Sequence, residues 1–285
     1  MKGIILAGGL GTRLYPVTKV VCKNLLPVYK KPLIHYPMAA LVQAGIRDVL
    51  IISTKQALSD FYELFGNGYH LGMNIEYAEE KVPKGIAQAF MIGEEFIGDD
   101  DVCLVLGDNI FYGAGFSDML ESAKVKVQNK KNAVIFGYYV NDPRRYGIIE
   151  FNDKGRVLSI EEKPAEPKSN YAAVGLYFYP NDVIEVAKNL KPSGRGELEI
   201  TDVNKEYLKR DKLDVEVMDK EYTWFDAGTF DSLLDAAEFI RYMKRKQQTD
   251  IADIESFAIN NGWIKHDYTM KHERLNSKYK SSMKD

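Results

Sequence analysis

The amino-acid sequence predicts an α/β fold: a mostly parallel sheet with helices on both faces, carrying a more antiparallel insertion. Three features predict it. Apolar runs alternate with stretches of helical periodicity through the first half of the chain, the order that builds parallel βαβ units. The runs are nearly continuous rather than alternating, as strands buried on both faces must be. Turns containing glycine or aspartate follow them, at the carboxyl ends where open sheets of this kind bind ligands.

Taken in order, residues 4–7 form the first buried strand, which breaks into Gly8, Gly9 and Gly11. Residues 32–44 carry Ile34, Met38, Leu41 and Val42 at helical spacing, and Gly45 stops that helix. A second strand spans 49–52, a helix 58–65 ends in Gly66-Asn67-Gly68, and a short strand covers 74–78. Residues 86–95 read as helix, and the strand 102–106 runs into Gly107-Asp108-Asn109. A polar helix over 117–132 precedes a strand over 133–139. From Tyr146 to Tyr179, strands are broken by Asp153-Lys154-Gly155 and by a Pro-Lys loop at 164–169, which predicts an antiparallel insertion over the sheet. Helices follow at 182–190 and 200–210, a short strand ends at Trp224-Phe225-Asp226, and a long helix covers 231–246. From Thr249 the chain is polar and mixed, and reads either as helical packing or as an interface.

Composition narrows the function classes. With 45% hydrophobic and 28% charged residues, the 285-residue chain is of ordinary globular type. A net charge of −3 gives no reason to expect a nucleic acid polymer or a membrane surface as partner. No apolar run approaches the ~20 residues that span a bilayer, and the first strand begins too early for a signal peptide, so a cytoplasmic protein is expected. Cys22 and Cys103 are far apart and lack metal-ligand spacing. The sequence has no H-x-x-x-H pair and no G-x-S-x-G elbow, which leaves metalloprotease and serine-hydrolase chemistry without support.

The glycine turn is the first site of chemistry. Its glycines allow positive φ and close backbone approach, and its amides form an anion-binding concavity. Arg13 adds a planar fork of donors and Lys23 a second charge, so the stretch reads as a grip for a nucleoside triphosphate. The dinucleotide fingerprint would need glycine at Leu14, and the P-loop would need Gly-Lys-Ser/Thr. Gly8-Gly9 alone would be no more than a strand-to-helix connection. Asp108 and Asp226 each follow an apolar strand. Two such carboxylates facing one crevice suit magnesium with substrate phosphates, whereas either alone would be a cap or turn residue. Glu161-Glu162-Lys163-Pro164 reads as a solvated turn or a polar site. Arg195, between Gly194 and Gly196, reads as an anion site ahead of a helix or as an exposed arginine.

In chain order the sequence contains GIILAGGLGTRLYP, KNLLPV, GIAQAF, VLGDNIFYG, DPRRYGIIEF, EEKPAEPKSNYA, GLYFY, RGELEITDVN and WFDAGT. This series resembles the sugar-1-phosphate nucleotidyltransferases of the short bacterial type, from residue 1 to about 240. The resemblance implies a Rossmann-like catalytic domain over 1–240 with a sugar-binding insertion at about 112–225. Residues 241–285 would be a C-terminal extension. It implies transfer of a nucleotidyl group from dTTP to glucose 1-phosphate, with magnesium as cofactor and release of pyrophosphate. It also implies a homo-oligomer, a tetramer being one size. Gly8, Gly11, Thr12 and Arg13 would meet the nucleotide phosphates, with Lys23 beside them and Gly85 against the base. Asp108 and Asp226 would hold the metal. Tyr146, Gly147, Glu162 and Gly175 would line the hexose, Trp224 would wall its pocket, and Lys163 and Arg195 would grip the sugar phosphate.

A sugar phosphate is already an anionic nucleophile near neutral pH, so cations and positioning are what the reaction needs. The chain departs from the family pattern at several positions. Cys22 replaces a serine, Asn24 a glutamine, Ala173-Val174 a Val-Thr pair and Ala227 a threonine. Glu80 stands where a glutamine commonly reads the pyrimidine. A carboxylate only accepts hydrogen bonds, so Glu80 leaves the choice of pyrimidine open. The competing readings are the same chemistry with UTP or another sugar 1-phosphate, and a weakly catalytic paralogue that binds a nucleotide-sugar.

Overall fold

The computed structural model describes residues 1–265 apart from Leu10 and Thr249. The remainder of the expected extension, 266–285, lies outside the described residues. The first half runs β1 (Lys2–Leu6), a small ribbon of β2 (Pro27–Val28) and β3 (Lys31–Pro32), α1 (His35–Gln43), β4 (Asp48–Ser53), α2 (Lys55–Phe65), β5 (Asn74–Glu79), α3 (Gln88–Ile92), α4 (Glu94–Ile97) and β6 (Val102–Leu106). Strands β5, β4, β1 and β6 lie side by side and parallel, in that order. Successive residues serve opposite faces: Ile5, Ile51 and Val105 enter one core cluster, and Ile4, Ile52 and Leu104 the other. All six are fully buried, which is why these strands read as unbroken apolar runs.

The second half runs β7 (Asn109–Gly113), α5 (Phe116–Lys130), β8 (Ala133–Tyr139), β9 (Gly147–Phe151), β10 (Val157–Glu162), β11 (Tyr171–Tyr179), α6 (Val183–Lys188), α7 (Ile200–Lys209), β12 (Leu213–Met218), β13 (Tyr222–Asp226), α8 (Phe230–Gln247) and α9 (Ile254–Asn260). The antiparallel strands are where the sequence predicts them, but they extend the sheet edge-on instead of lying over it. β11 pairs antiparallel with β6, Leu176 opposite Val105, and satisfies the edge that β6 would otherwise expose. Its other end pairs with β9, while β8 follows its far side. A register shift between Ala173 and Tyr177 bends β11 around Gly175.

Other boundaries moved for local reasons. The helix expected from residue 32 begins at His35, because Pro32 pairs with Pro27 in the β2–β3 ribbon. The helix expected over 86–95 is two short ones separated at Gly93, where a Cβ would meet Ile4 Cδ1 at 3.0 Å. β7 and β12 were not expected: β7 continues directly from the Asp108 turn, and β12 carries charges on alternate positions. Beyond α8, whose N-terminus is closed by a Thr229–Ser232 capping box, the chain folds back as helical packing. Lys31 Nζ donates to the carbonyls of Ile251 (3.1 Å) and Ala252 (2.6 Å), and Asn261 Nδ2 to Val42 O (2.7 Å).

Candidate active site

The glycine turn leaves the carboxyl end of β1 after Ala7 N donates to Ile52 O (2.8 Å). Gly8 is required by packing: a Cβ there would collide with the Glu80 carboxylate. Gly11 is required by conformation, with φ of 57°, and Thr18 Oγ1 donates to its carbonyl (2.8 Å). The Thr12–Leu14 turn that follows buries Leu14 completely and leaves Arg13 to reach the cavity. The residue that excludes a dinucleotide fingerprint is therefore the apolar anchor of this loop.

Asp108 and Asp226 come together across a two-stranded ribbon. β7 and β13 pair antiparallel with Asp226 opposite Asn109, and Ala227 N donates to Asp108 O (2.9 Å). Lys23 Nζ lies 2.6 Å from Asp108 Oδ2, and an Arg145 guanidinium nitrogen 3.8 Å from Asp226 Oδ2. Burial, then the charge of Asp108, pushes the Asp226 carboxyl above its usual range. Burial alone would raise Asp108 too, but the Lys23 ammonium and the Asn109 amide, which donates at 2.9 Å, hold it below that range. Two carboxylates repelling one another at a cavity wall fit a hard divalent cation that completes its shell with phosphate oxygens. Among the described residues no group of three or more His, Cys, Asp and Glu forms a closed cage.

The sugar side is held by side chains. Asn109 Oδ1 accepts from Gly175 N (3.0 Å) and from Trp224 Nε1 (2.6 Å), so one amide ties β7, β11 and β13 together. Trp224 meets Tyr146 edge-on, with ring centroids 5.3 Å apart. The Thr201 hydroxyl donates to Glu162 Oε2, and Lys163 Nζ stands 3.8 Å from Glu162 Oε1. Lys163 has φ of 43°, an uncommon conformation for a non-glycine, and its N–H donates to Tyr146 O (2.9 Å). Arg195 is clamped by both carboxylate oxygens of the buried Glu199, each at 2.9 Å.

A cavity of about 580 Å³ gathers Arg13, Asp108, Tyr146, Gly147, Glu162, Lys163, Gly175, Trp224 and Asp226. Lys23 reaches it through Asp108 and also borders a hollow with Gly9, Cys22 and Thr54. Arg195 reaches it through Glu162 and Glu199. Gly85, with φ of 106°, sits where a side chain would strike the Leu198 backbone, and it carries Ile86 to the cavity wall. Glu80 is buried, only 6% exposed, against Gly8. Asn24 is 1% exposed and packs beneath Gly107, off the cavity. Asn109, Arg145, Tyr177, Glu199 and Thr201 were not singled out from sequence, yet all line the cavity. They lie inside the recognised blocks but have no periodicity or spacing of their own to mark them.

Fold and site together define an α/β transferase, with a glycine turn that delivers Arg13 to one side of a polar, cation-bearing cavity. The chain belongs to the nucleotidyl transferase family, whose model matches residues 2–242. A glucose-1-phosphate thymidylyltransferase of Mycobacterium tuberculosis is 52% identical over 274 residues, 96% of this chain and 94% of that one. Another, of Neisseria meningitidis serogroup A, is 52% identical over 264 residues, 93% and 91% of the two chains. A solved structure assigned to a glucose-1-phosphate thymidylyltransferase of Bacillus anthracis, in complex with sucrose, superposes with a TM-score of 0.78. It is 43% identical and covers 85% of this chain and 95% of that one. A UDP-glucose pyrophosphorylase at 24% identity and TM-score 0.74 shares the fold. Among the described residues no helix is long and apolar enough to cross a membrane.

Proposed function

We propose that this enzyme transfers the thymidylyl group of dTTP to glucose 1-phosphate, forming dTDP-glucose and pyrophosphate, in a cytoplasmic setting. The observation that carries the reading is the meeting of Asp108 and Asp226 between the Arg13 turn and the Glu162–Lys163 pocket. The relatives at 52% identity support the choice of substrates. Magnesium held by Asp108 and Asp226 would supply charge between the α-phosphate and the incoming sugar phosphate. The chain supplies the rest. Arg13, Lys23 and the turn amides take the triphosphate and meet the charge that develops on pyrophosphate, while Gly8, Thr12, Gly85 and Glu80 bound the nucleotide. Lys163 and Arg195 hold the sugar phosphate in line. Tyr146, Gly147, Glu162, Gly175 and Trp224 enclose the hexose, with Glu162 accepting from its hydroxyls. No group has to deprotonate the nucleophile.

The buried Glu80 carboxylate supports a second reading in which the chemistry is the same and UTP competes with dTTP. Pyrophosphate release from dTTP, UTP, CTP and ATP with glucose 1-phosphate tests both. dTTP should rank first, and release from none of them would end the enzymatic reading. Catalysis then belongs to residues 1–240, and the described part of the extension, up to residue 265, packs against them. We also take the enzyme to be a homo-oligomer: Phe230, Leu234 and Tyr242, 48%, 59% and 59% exposed, share one side of α8. A concentration-independent monomer in light scattering would refute that.

A further inference from the structure

In the structure the groups assigned to the sugar phosphate are already paired with the group assigned to the sugar. Glu162 Oε1 lies 3.4 Å from an Arg195 guanidinium nitrogen and 3.8 Å from Lys163 Nζ. Its other oxygen accepts the Thr201 hydroxyl. Arg195 is further held by Glu199 at 2.9 Å and Glu197 at 3.3 Å. Lys163 and Arg195 thus face three carboxylates, and a phosphate can take both cations only by displacing Glu162 from them. Glu199 is 8% exposed at its side chain and fixes the guanidinium in place, whereas Glu162, at 22%, opens to the cavity. Glu162 is the partner that a ligand can displace.

We propose that Glu162 acts as a selectivity gate, holding Lys163 and Arg195 against free inorganic phosphate and releasing them only to a phosphate that carries a sugar. The inference rests on the sugar-phosphate reading above and extends it. A phosphate ion that takes Lys163 and Arg195 leaves the Glu162 carboxylate without its counter-ions, beside a new dianion. A sugar phosphate makes the same exchange but brings hydroxyl donors to Glu162, so the carboxylate trades two ion pairs for hydrogen bonds to the hexose. A hexose without phosphate has the opposite difficulty, since it must compete with two cations for Glu162. Recognition is therefore of the whole molecule, and neither half is bound well alone. The discrimination comes from a contact that the ligand-free site already contains.

Calorimetric titration of inorganic phosphate and of glucose 1-phosphate into wild type, Glu162→Gln and Glu162→Asp at fixed ionic strength tests this. Glu162→Gln should bind inorganic phosphate about three- to tenfold more tightly than wild type, the scale set by two half-exposed ion pairs. The same variant should bind glucose 1-phosphate more weakly. Glu162→Asp, which keeps the charge but draws it back by one methylene, should move phosphate affinity in the same direction by less. The gain must disappear in Glu162→Gln/Arg195→Gln. Phosphate affinity that is unchanged or weaker in folded Glu162→Gln overturns the proposal, as does a gain that survives loss of Arg195. Should Glu162→Gln fail to fold, unchanged phosphate affinity in Glu162→Asp overturns it. A wild type that releases no pyrophosphate from dTTP and glucose 1-phosphate fails the parent reading instead, which keeps the two failures distinct.

Discussion

One wall of the site, the backbone wall, is a single short turn after β1 that brings Arg13 to the cavity, whereas the other is made of side chains from widely separated segments. The first wall is a glycine turn that needs Gly8 for clearance, Gly11 for conformation and Leu14 as an anchor, all within seven residues. The second is a network in which Asn109, Gly175 and Trp224, or Glu162, Arg195, Glu199 and Thr201, depend on one another. In the proposed function the turn amides meet what all nucleoside triphosphates share, and the side chains of the other wall suit a particular sugar. On that proposal reaction class and substrate identity reside on different walls. The aspartates of the β7–β13 ribbon stand at the seam.

Breaking the seam should have the largest effect. Asp226→Asn removes one of the two charges proposed to hold the metal and should cost ~3 kcal/mol or more of transition-state stabilisation, read as kcat for pyrophosphate release, with little change in thermal stability. Activity within a few-fold of wild type would end the two-aspartate arrangement. Next, Arg13→Ala strikes the backbone wall. A charge-assisted contact of ~1.5–3 kcal/mol should be lost for dTTP, while preformed dTDP-glucose stays comparatively well bound. Equal losses for both would make Arg13 a brace for the loop, a role its closeness to Gly228 would allow.

Asn109→Ala strikes the other wall by leaving Gly175 N–H and Trp224 Nε1 without their acceptor. Each orphaned donor costs ~1–3 kcal/mol where water cannot replace the bond. The melting temperature should fall, and KM should rise more for glucose 1-phosphate than for dTTP. A uniform rise would erase the distinction between the walls.

The smallest effect concerns Glu80, where the backbone wall contains a buried carboxyl. Burial raises its pKa above the ordinary glutamate value. Below that ordinary value both folded and unfolded chains hold the proton and the residue costs nothing. As pH rises through the raised folded value, the wild type loses stability that Glu80→Gln keeps. The variant's advantage in melting temperature should therefore appear as pH rises above the ordinary glutamate pKa and level off once pH exceeds the raised folded value. An amide also restores a donor and an acceptor for a pyrimidine edge, so kcat/KM for dTTP or UTP should improve by about fivefold or more, the worth of ~1 kcal/mol. An unchanged ranking of dTTP, UTP, CTP and ATP would remove Glu80 from base reading.

The sequence alone determined the parallel half of the sheet, because Ile4, Ile51, Leu104 and their neighbours are buried on both faces and leave uninterrupted apolar runs. It also determined the glycine turn after β1, whose Gly8, Gly11 and Leu14 act through a few consecutive residues. Tertiary structure alone decided that the insertion extends the sheet through β11, because strand pairing depends on an edge of β6 that no local pattern announces. It decided that Glu80 is buried and Asn24 lies off the cavity, since burial is set by what packs above a residue. It also brought Asn109, Arg145, Glu199 and Thr201 to the site. Hydrogen-bonded side chains such as Asn109 and Trp224, 115 positions apart, carry no periodicity, and only the folded chain gives them a common address.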